Sequence, residues 1–167
     1  VSVAQIFIPA ADLSQHISTA GTEASGTSNM KFAMTGSLIV GTRDGANIEI
    51  AEEIKEENIF FFGAEVHQVE KLRDDVKNKK IGLSGKLKRV FDTILSGRFG
   101  DIGFFKEYLC NLMNGGDIYL NCVDFNEYEQ IHQRIDSGYK NREEWEKKCV
   151  RSICRMGFFS SDRSIED

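Results

Sequence analysis

The chain is poor in proline and tryptophan, with only Pro9 and Trp145 among 167 residues, and it has no excess of basic charge. Few prolines beside 41% apolar residues exclude a disordered linker and leave ample material for a buried core. Twenty-one Lys and Arg against 26 Asp and Glu give a net charge of −5, without the basic footprint of a dedicated nucleic-acid binder, so no nucleic-acid partner is expected. No segment approaches the roughly 18 consecutive apolar residues of a membrane span. The apolar opening Val3 to Pro9 lacks the basic flank of a signal peptide. A soluble protein without a membrane partner is expected. The four cysteines, Cys110, Cys122, Cys149 and Cys154, match no zinc-ligand spacing, and the closest pair lies five residues apart. They read as reduced, packed thiols of an intracellular protein, and no metal is expected.

What is present is unevenly distributed. Residues 1–50 carry only Asp12, Glu23, Lys31, Arg43, Asp44 and Glu49, whereas residues 51–100 hold nine acids and ten bases. Between Glu23 and Arg43 the single charged side chain is Lys31. Gly21, Gly26, Gly36, Gly41 and Gly45 fall in this quiet half, interleaved with Ser, Thr and Asn. Such a segment is either a loop or a place where backbone meets a ligand.

Three short, unalternating apolar runs read as strands covered on both faces: Val3 to Ile8, Ser37 to Gly41 and Ile59 to Phe62. Between them, 29–35 and 44–57 read as helices, the second opened by Asp44 as N-cap. After Gly63 the pattern turns helical over 64–80, 86–96, 101–113, 124–137 and 141–157. The pairs Asp124…Glu127 and Asn141…Glu144 resemble capping boxes, and Trp145, Cys149, Ile153 and Met156 recur at helical spacing. Strand alternating with helix predicts an α/β layered fold. Three strands with a helical tail would leave sheet edges unpaired, which suggests a piece of a larger domain.

The segment from Ser18 to Phe32 carries the chemistry. A glycine among small hydroxyl residues just before a helix offers backbone N–H groups and the positive end of the helix dipole, a cradle for phosphate. The hydroxyls of Thr27 and Ser28 could join them. Lys31 follows within the first helical turn, and a lysine held in a dry, weakly charged pocket becomes an amine nucleophile for a carbonyl. A nucleotide P-loop fails, because Gly21 and Gly26 have the required spacing but Thr27 stands where lysine must be. The dinucleotide pattern G-x-G-x-x-G is absent. A phosphorylated aldehyde cofactor suits the turn and Lys31 together. A solvated helix-entry turn with an exposed lysine is the plainer alternative.

The run from Ile8 to Phe32, with Ser18-Thr19-Ala20-Gly21-Thr22-Glu23-Ala24-Ser25-Gly26-Thr27-Ser28-Asn29-Met30-Lys31 at its centre, closely resembles the pyridoxal-phosphate segment of the α-glucan (glycogen and starch) phosphorylases. The resemblance continues through Gly41 to Glu49 and Glu57 to Gly63. It returns weakly at Asp124-Phe125 and Ser160 to Arg163, so about the first 65 residues match strongly. It implies that Lys31 forms the Schiff base with pyridoxal phosphate, and that Thr27 and the backbone of Ser28 hold the cofactor phosphate. Glu23, Ser25 and Gly26 would contact the glucosyl unit. The implied activity is transfer of glucosyl units from α-1,4-glucan ends to inorganic phosphate, giving glucose 1-phosphate with retained configuration. In this family the cofactor phosphate exchanges a proton with the substrate phosphate, so a glycosidase-like carboxylate pair is not needed.

The implied fold is part of a Rossmann-like lobe, the C-terminal lobe of a two-lobe glycosyltransferase, with a helical C-terminal extension. Residues 1–63 would be the cofactor-binding α/β portion and 64–167 the helical portion of the same lobe. The implied partners are the glucan, phosphate, the missing N-terminal lobe and, for the full-length protein, a second copy in a homodimer. The implied location is cytoplasmic, with a plastid as the other possibility. Family members are much longer, and nothing outside the Lys31 segment supplies a two-cation phosphate clamp, so the chain alone is expected to be inactive. The competing reading is a stand-alone phosphate-ligand binding module without catalysis.

Elsewhere, Lys71 to Arg89 holds eight basic residues against Asp74 and Asp75. Without interleaved aromatics this run reads as a solvated helix–loop–helix surface rather than a polyanion site. His16, His67 and His132 lie too far apart for ligand spacing and read as structural. Phe60 to Phe62 read as a buried strand, and Phe158-Phe159 as a core anchor or a contact to the missing lobe.

Overall fold

The computed structural model describes residues 2–23 and 26–166, without the side chains of Phe104 and Ser164. Three strands, β1 (Leu13–His16), β2 (Leu38–Gly41) and β3 (Phe60–Phe61), form one parallel sheet in the order β1-β2-β3. Leu13 pairs with Leu38 and His16 with Gly41, and Gly41 in turn pairs with Phe61. The carboxyl ends of all three strands therefore lie side by side. In an open α/β sheet that edge is where ligands bind.

Around the sheet lie α1 (Ser2–Phe7), α2 (Ser28–Met34), α3 (Ala46–Ile54), α4 (Val66–Lys77), α5 (Gly85–Leu95), α6 (Gly103–Asn111), α7 (Asn121–Lys140), α8 (Arg142–Arg155) and α9 (Ser161–Glu166). The α/β expectation holds at this level. β2 is buried along its whole length, and its alternate residues face two different clusters. Ile39 packs with Ala33 of α2, Ile50, Ala51 and Ile54 of α3, and Met156. Leu38 and Val40 pack with Phe60, Phe62, Ile131 and Ile135 of α7, and Trp145 of α8. Trp145 stacks on Phe60 at 6.0 Å and meets Tyr139 edge-on at 5.0 Å. Helices from the second half of the chain thus complete the core of the first. The continuous apolar run at β2 is what burial on both faces requires.

Several expectations are corrected. Val3 to Ile8 is not a strand: Ser2–Phe7 is helical, with no buried residue, and the first strand is Leu13–His16 beyond Pro9. An apolar run of this length fits either state, and periodicity alone does not choose between them. Asp44 does not cap α3, because Gly45 holds that position with φ +49°, in the left-handed half of the map where glycine is at home. The Asp124…Glu127 pair does not cap a helix either, since α7 begins at Asn121. The start of α7 is held instead by Asp117, whose carboxylate accepts from Asn121 N at 2.9 Å and Cys122 N at 2.8 Å. At Asn141 half of the expected box forms, its side chain accepting from Glu144 N at 3.4 Å while its own N–H donates to Gly138 O at 3.1 Å.

Asp124 and Glu127 act on the strand end opposite. Glu127 Oε2 accepts from Gly63 N at 2.9 Å, and Asp124 Oδ1 accepts from Ala64 N at 3.0 Å. The two carboxylates clamp the turn after β3 onto α7. Burial pushes the Asp124 carboxyl up to about 6, against the lowering effect of the Ala64 N–H and with the help of Glu127 and Asp117. The folded value lies above the unfolded one, so its favourable contribution is complete below about pH 4 and is lost as the pH rises through about 6. Asp124→Asn should therefore gain stability relative to the parent chain between pH 4 and pH 7, read from paired urea melts. A stability difference that stays flat across that range would contradict this.

Candidate functional site

The loop from Ile17 to Thr27 leaves the carboxyl end of β1 and enters α2, and it is tethered by the turn after β2 and by the segment just before α7. Thr42 Oγ1 donates to Ser18 O at 2.7 Å, and Thr19 Oγ1 donates to Tyr119 O at 2.8 Å. Thr22 N and Glu23 N both donate to Asp44 Oδ2, at 3.2 and 2.8 Å. Asp44 and Thr42 are buried, whereas Thr22 and Glu23 are exposed. The hydrogen bonds are thus made underneath a loop whose upper surface is open.

The helix α2 is held by a second tether from the same turn. Asn29 Nδ2 donates to Asn47 Oδ1 at 2.9 Å, and Asn47 Nδ2 donates to Thr42 O at 3.1 Å. Each of these asparagines is 3% exposed. A buried amide pair without partners would be costly, and here each carboxamide is bonded. The close approach depends on glycines. A Cβ at Gly41 would sit 2.7 Å from Asn47 Nδ2 and from His16 O, and one at Gly26 would sit 3.0 Å from both polar atoms of Asn29 and 3.1 Å from Glu23 Oε1.

The residues singled out from sequence fall along this loop and helix. Glu23 is exposed, with Oε2 accepting from Ser18 Oγ at 3.0 Å. Ser25 lies outside the described residues. Gly26 is buried against Asn29, Thr27 directly precedes α2, and Ser28 is its first residue. The Thr27 hydroxyl makes no capping bond. Lys31 lies four residues after Thr27 and three after Ser28, its N–H donating to Thr27 O at 3.3 Å, so the three share one helix face. Of the first-turn amides, Met30 N donates to Asn29 Oδ1 at 2.9 Å, which leaves those of Ser28 and Asn29 without an acceptor in the helix.

Lys31 borders a cavity of about 450 Å³ with Ala4, Gln5, Ile8, Pro9, Met34 and Thr35, a mostly apolar wall formed by α1 and the end of α2. Among the described residues its ammonium has no ion pair or hydrogen bond. The expected dry pocket is not found, because the side chain is exposed and the burial that would desolvate its charge is absent. Nearby, burial lowers the His16 pKa against the pull of Glu23, which favours the neutral ring that hydrogen-bonds with Ser14 Oγ at 3.1 Å. Arg43 is engaged elsewhere. Its guanidinium donates to Glu56 at 2.6 Å and lies 4.3 Å over the Phe61 ring.

The basic run of 71–89 is largely paired. Lys80 meets Asp75, Lys86 meets Glu129, Lys88 meets Asp92, and Arg73 Nε donates to Ile118 O. That is the solvated surface its composition suggested. Among the described residues no three His, Cys, Asp or Glu converge as metal ligands, and no helix is long and apolar enough to cross a membrane. Sequence reasoning missed Asp44, Asn47, Asn29 and Thr42. The one available signal was Thr42 and Asp44 beside Gly41 and Gly45 in the sparsely charged half.

A carbohydrate phosphorylase family model matches residues 1–167. Over 170 residues the chain is 50% identical to a glycogen phosphorylase of Saccharomyces cerevisiae, covering 100% of this chain and 19% of that protein. It is 46% identical over 171 residues to an alpha-glucan phosphorylase H isozyme of Solanum tuberosum, covering 99% of this chain and 20% of that protein. It is also 46% identical over 171 residues to the brain form of glycogen phosphorylase of Mus musculus, covering 100% of this chain and 20% of that protein. The chain spans about a fifth of the length of these relatives.

The crowding at Gly26 gives a direct check on the site's packing. Gly26→Ala should lower stability by about 1–3 kcal/mol, because Asn29 is bonded on both sides and cannot move away. Gly85→Ala, at the start of α5 with nothing within 4 Å, should be neutral or stabilising by up to about 1 kcal/mol. Equal effects of the two substitutions on the urea midpoint would show that the Gly26 contact carries no energy.

Proposed function

The chain belongs to the carbohydrate phosphorylase family, and from that premise we propose that it is the cofactor-bearing C-terminal part of an α-glucan phosphorylase. The reaction is transfer of glucosyl units from α-1,4-glucan ends to inorganic phosphate, with release of glucose 1-phosphate. The observation that carries this reading is the placement of Lys31, Thr27 and Ser28 on one face of α2, within a match that runs the length of the chain. A match of that extent does not favour a stand-alone phosphate-binding module, which would need only the turn.

The residues present fit pyridoxal phosphate. An ammonium without a partner among the described residues stands beside an apolar wall, and a helix turn away lie a free hydroxyl and first-turn amides. Buried Gly26 keeps that turn close to Asn29, where a Cβ would intrude. Lys31 holds the cofactor through its amine, while the Thr27 hydroxyl and the Ser28 amide hold its phosphate. When bound, the group supplies a phosphate able to exchange a proton with the substrate phosphate. Glu23, Ser25 and Gly26 face the glucosyl unit, and Glu23 binds a sugar hydroxyl rather than attacking.

Residues 1–63 form the cofactor-binding portion and 64–167 the helical portion of one Rossmann-like lobe. The cations that grip the substrate phosphate come from parts of the protein outside these 167 residues, since the nearest arginine to the site in sequence, Arg43, is paired with Glu56. The remaining partners are the glucan, inorganic phosphate and a second copy in a homodimer, in the cytoplasm or a plastid.

Borohydride reduction of the full-length protein carrying this segment, after incubation with pyridoxal phosphate, should place the added mass on the peptide containing Lys31, and Lys31→Ala should abolish it. Label spread evenly over other lysines would overturn the assignment. The isolated 167-residue chain should release no glucose 1-phosphate from glucan and phosphate, and detectable release would show that the parts outside this chain are dispensable.

A further inference from the structure

We infer that Asp44 is a positioning residue for the sugar-contact loop, fixing Glu23 by taking the Thr22 and Glu23 amide hydrogens on a single carboxylate oxygen. This rests on the reading above, in which Glu23 meets the glucosyl unit. Asp44 is 7% exposed, and among the described residues it has no cationic partner, the adjacent Arg43 being turned to Glu56. A buried carboxylate without a counter-ion is expensive unless N–H donors replace the lost water. Here the donors are the amides of Thr22 and Glu23, 22 and 21 residues earlier in the chain. Asp44 is not needed to start α3, where Gly45 stands at the cap and no side chain bonds the first turn.

Beyond Thr19, which is buried and bonded to Tyr119 O, the loop has little else to hold it. Thr22 bonds back to Thr19 O through its hydroxyl and, at 3.0 Å, through the same amide that reaches Asp44, contacts local to the turn. The Glu23 amide is therefore the one Asp44 holds alone among the described residues, and Glu23 Oε2 accepts from the hydroxyl of Ser18. Both Thr22 and Glu23 are exposed, so apolar packing does not fix them. Asp44 therefore sets where the Glu23 backbone lies, and through it where the carboxylate points. The helix that carries Lys31 hangs from a different bond, Asn29 to Asn47. One turn holds both elements, but by separate tethers, so loosening the first leaves cofactor retention in place while sugar binding declines.

The test is Asp44→Asn and Asp44→Ala in the full-length protein carrying this segment, with cofactor per chain, kcat, KM for glucan and affinity for free glucose measured together. The expected result is unchanged cofactor content, a loss of about tenfold or more in kcat/KM, and a parallel loss in glucose affinity. Unchanged glucose affinity, or cofactor and sugar binding falling in step, would overturn the proposal. If neither variant folds, amide exchange in the wild-type protein decides: the Glu23 amide, whose acceptor among the described residues is Asp44, should exchange at least about tenfold slower than a free-peptide amide, and an unprotected Glu23 amide would overturn it. A wild-type protein with neither cofactor nor phosphorolysis would overturn the parent reading and this proposal with it, whereas failure of this proposal alone leaves wild-type activity intact.

Discussion

The contact on which the site depends is the buried amide pair Asn29–Asn47. It ties the first turn of α2 to the first turn of α3, and Asn47 is tied in turn to the backbone of Thr42 at the end of β2. Polar groups this deeply buried must find partners or be expelled, so the geometry of three elements is fixed by hydrogen bonds rather than by shape alone. Gly41 and Gly26 allow the approach by having no Cβ. The lysine-bearing face of α2, the loop that carries Glu23 and the carboxyl edge of the sheet meet at the same short turn.

The core beneath that turn is shared between the halves of the chain. β2 cannot be covered by α2 and α3 alone, because its residues alternate between two faces, and α7 and α8 supply the second cover through Ile131, Ile135 and Trp145. Tyr128 and Tyr139 of α7 reach β1 and the residue before it, donating to Gln15 and Asp12. At the opposite end, Val3, Ile6 and Phe7 of α1 remain largely exposed. An apolar helix so uncovered agrees with a chain that spans a fifth of its relatives' length.

How much of this could be read from the amino acids follows from what each residue does. The strands at 38–41 and 60–61 announce themselves, because burial on both faces demands an unbroken apolar run. Leu13–His16 is a strand of mixed polarity with Gln15 exposed, and it leaves no such signature. Ser2–Phe7 carries the opposite ambiguity, apolar enough for a strand yet helical. Lys31, Thr27 and Ser28 stand out in the sequence because an isolated lysine after a glycine-hydroxyl turn is chemically conspicuous, and the structure sets them together at the start of α2. Asp44 was misplaced as a helix cap since its partners, Thr22 and Glu23, lie some twenty residues away, and local pattern does not record long-range acceptors. Asp124 and Glu127 were misread for the same reason, their partners being the amides of Gly63 and Ala64.

The claim that the turn after β2 holds the lysine-bearing helix is tested most directly by a double-mutant cycle on Asn29 and Asn47. Each alanine substitution alone strands a buried carboxamide, so together they should cost less than the sum of the single changes, with a coupling of about 1–2 kcal/mol in urea unfolding. Strictly additive losses would show that the pair does not join α2 to the sheet, and would contradict the account.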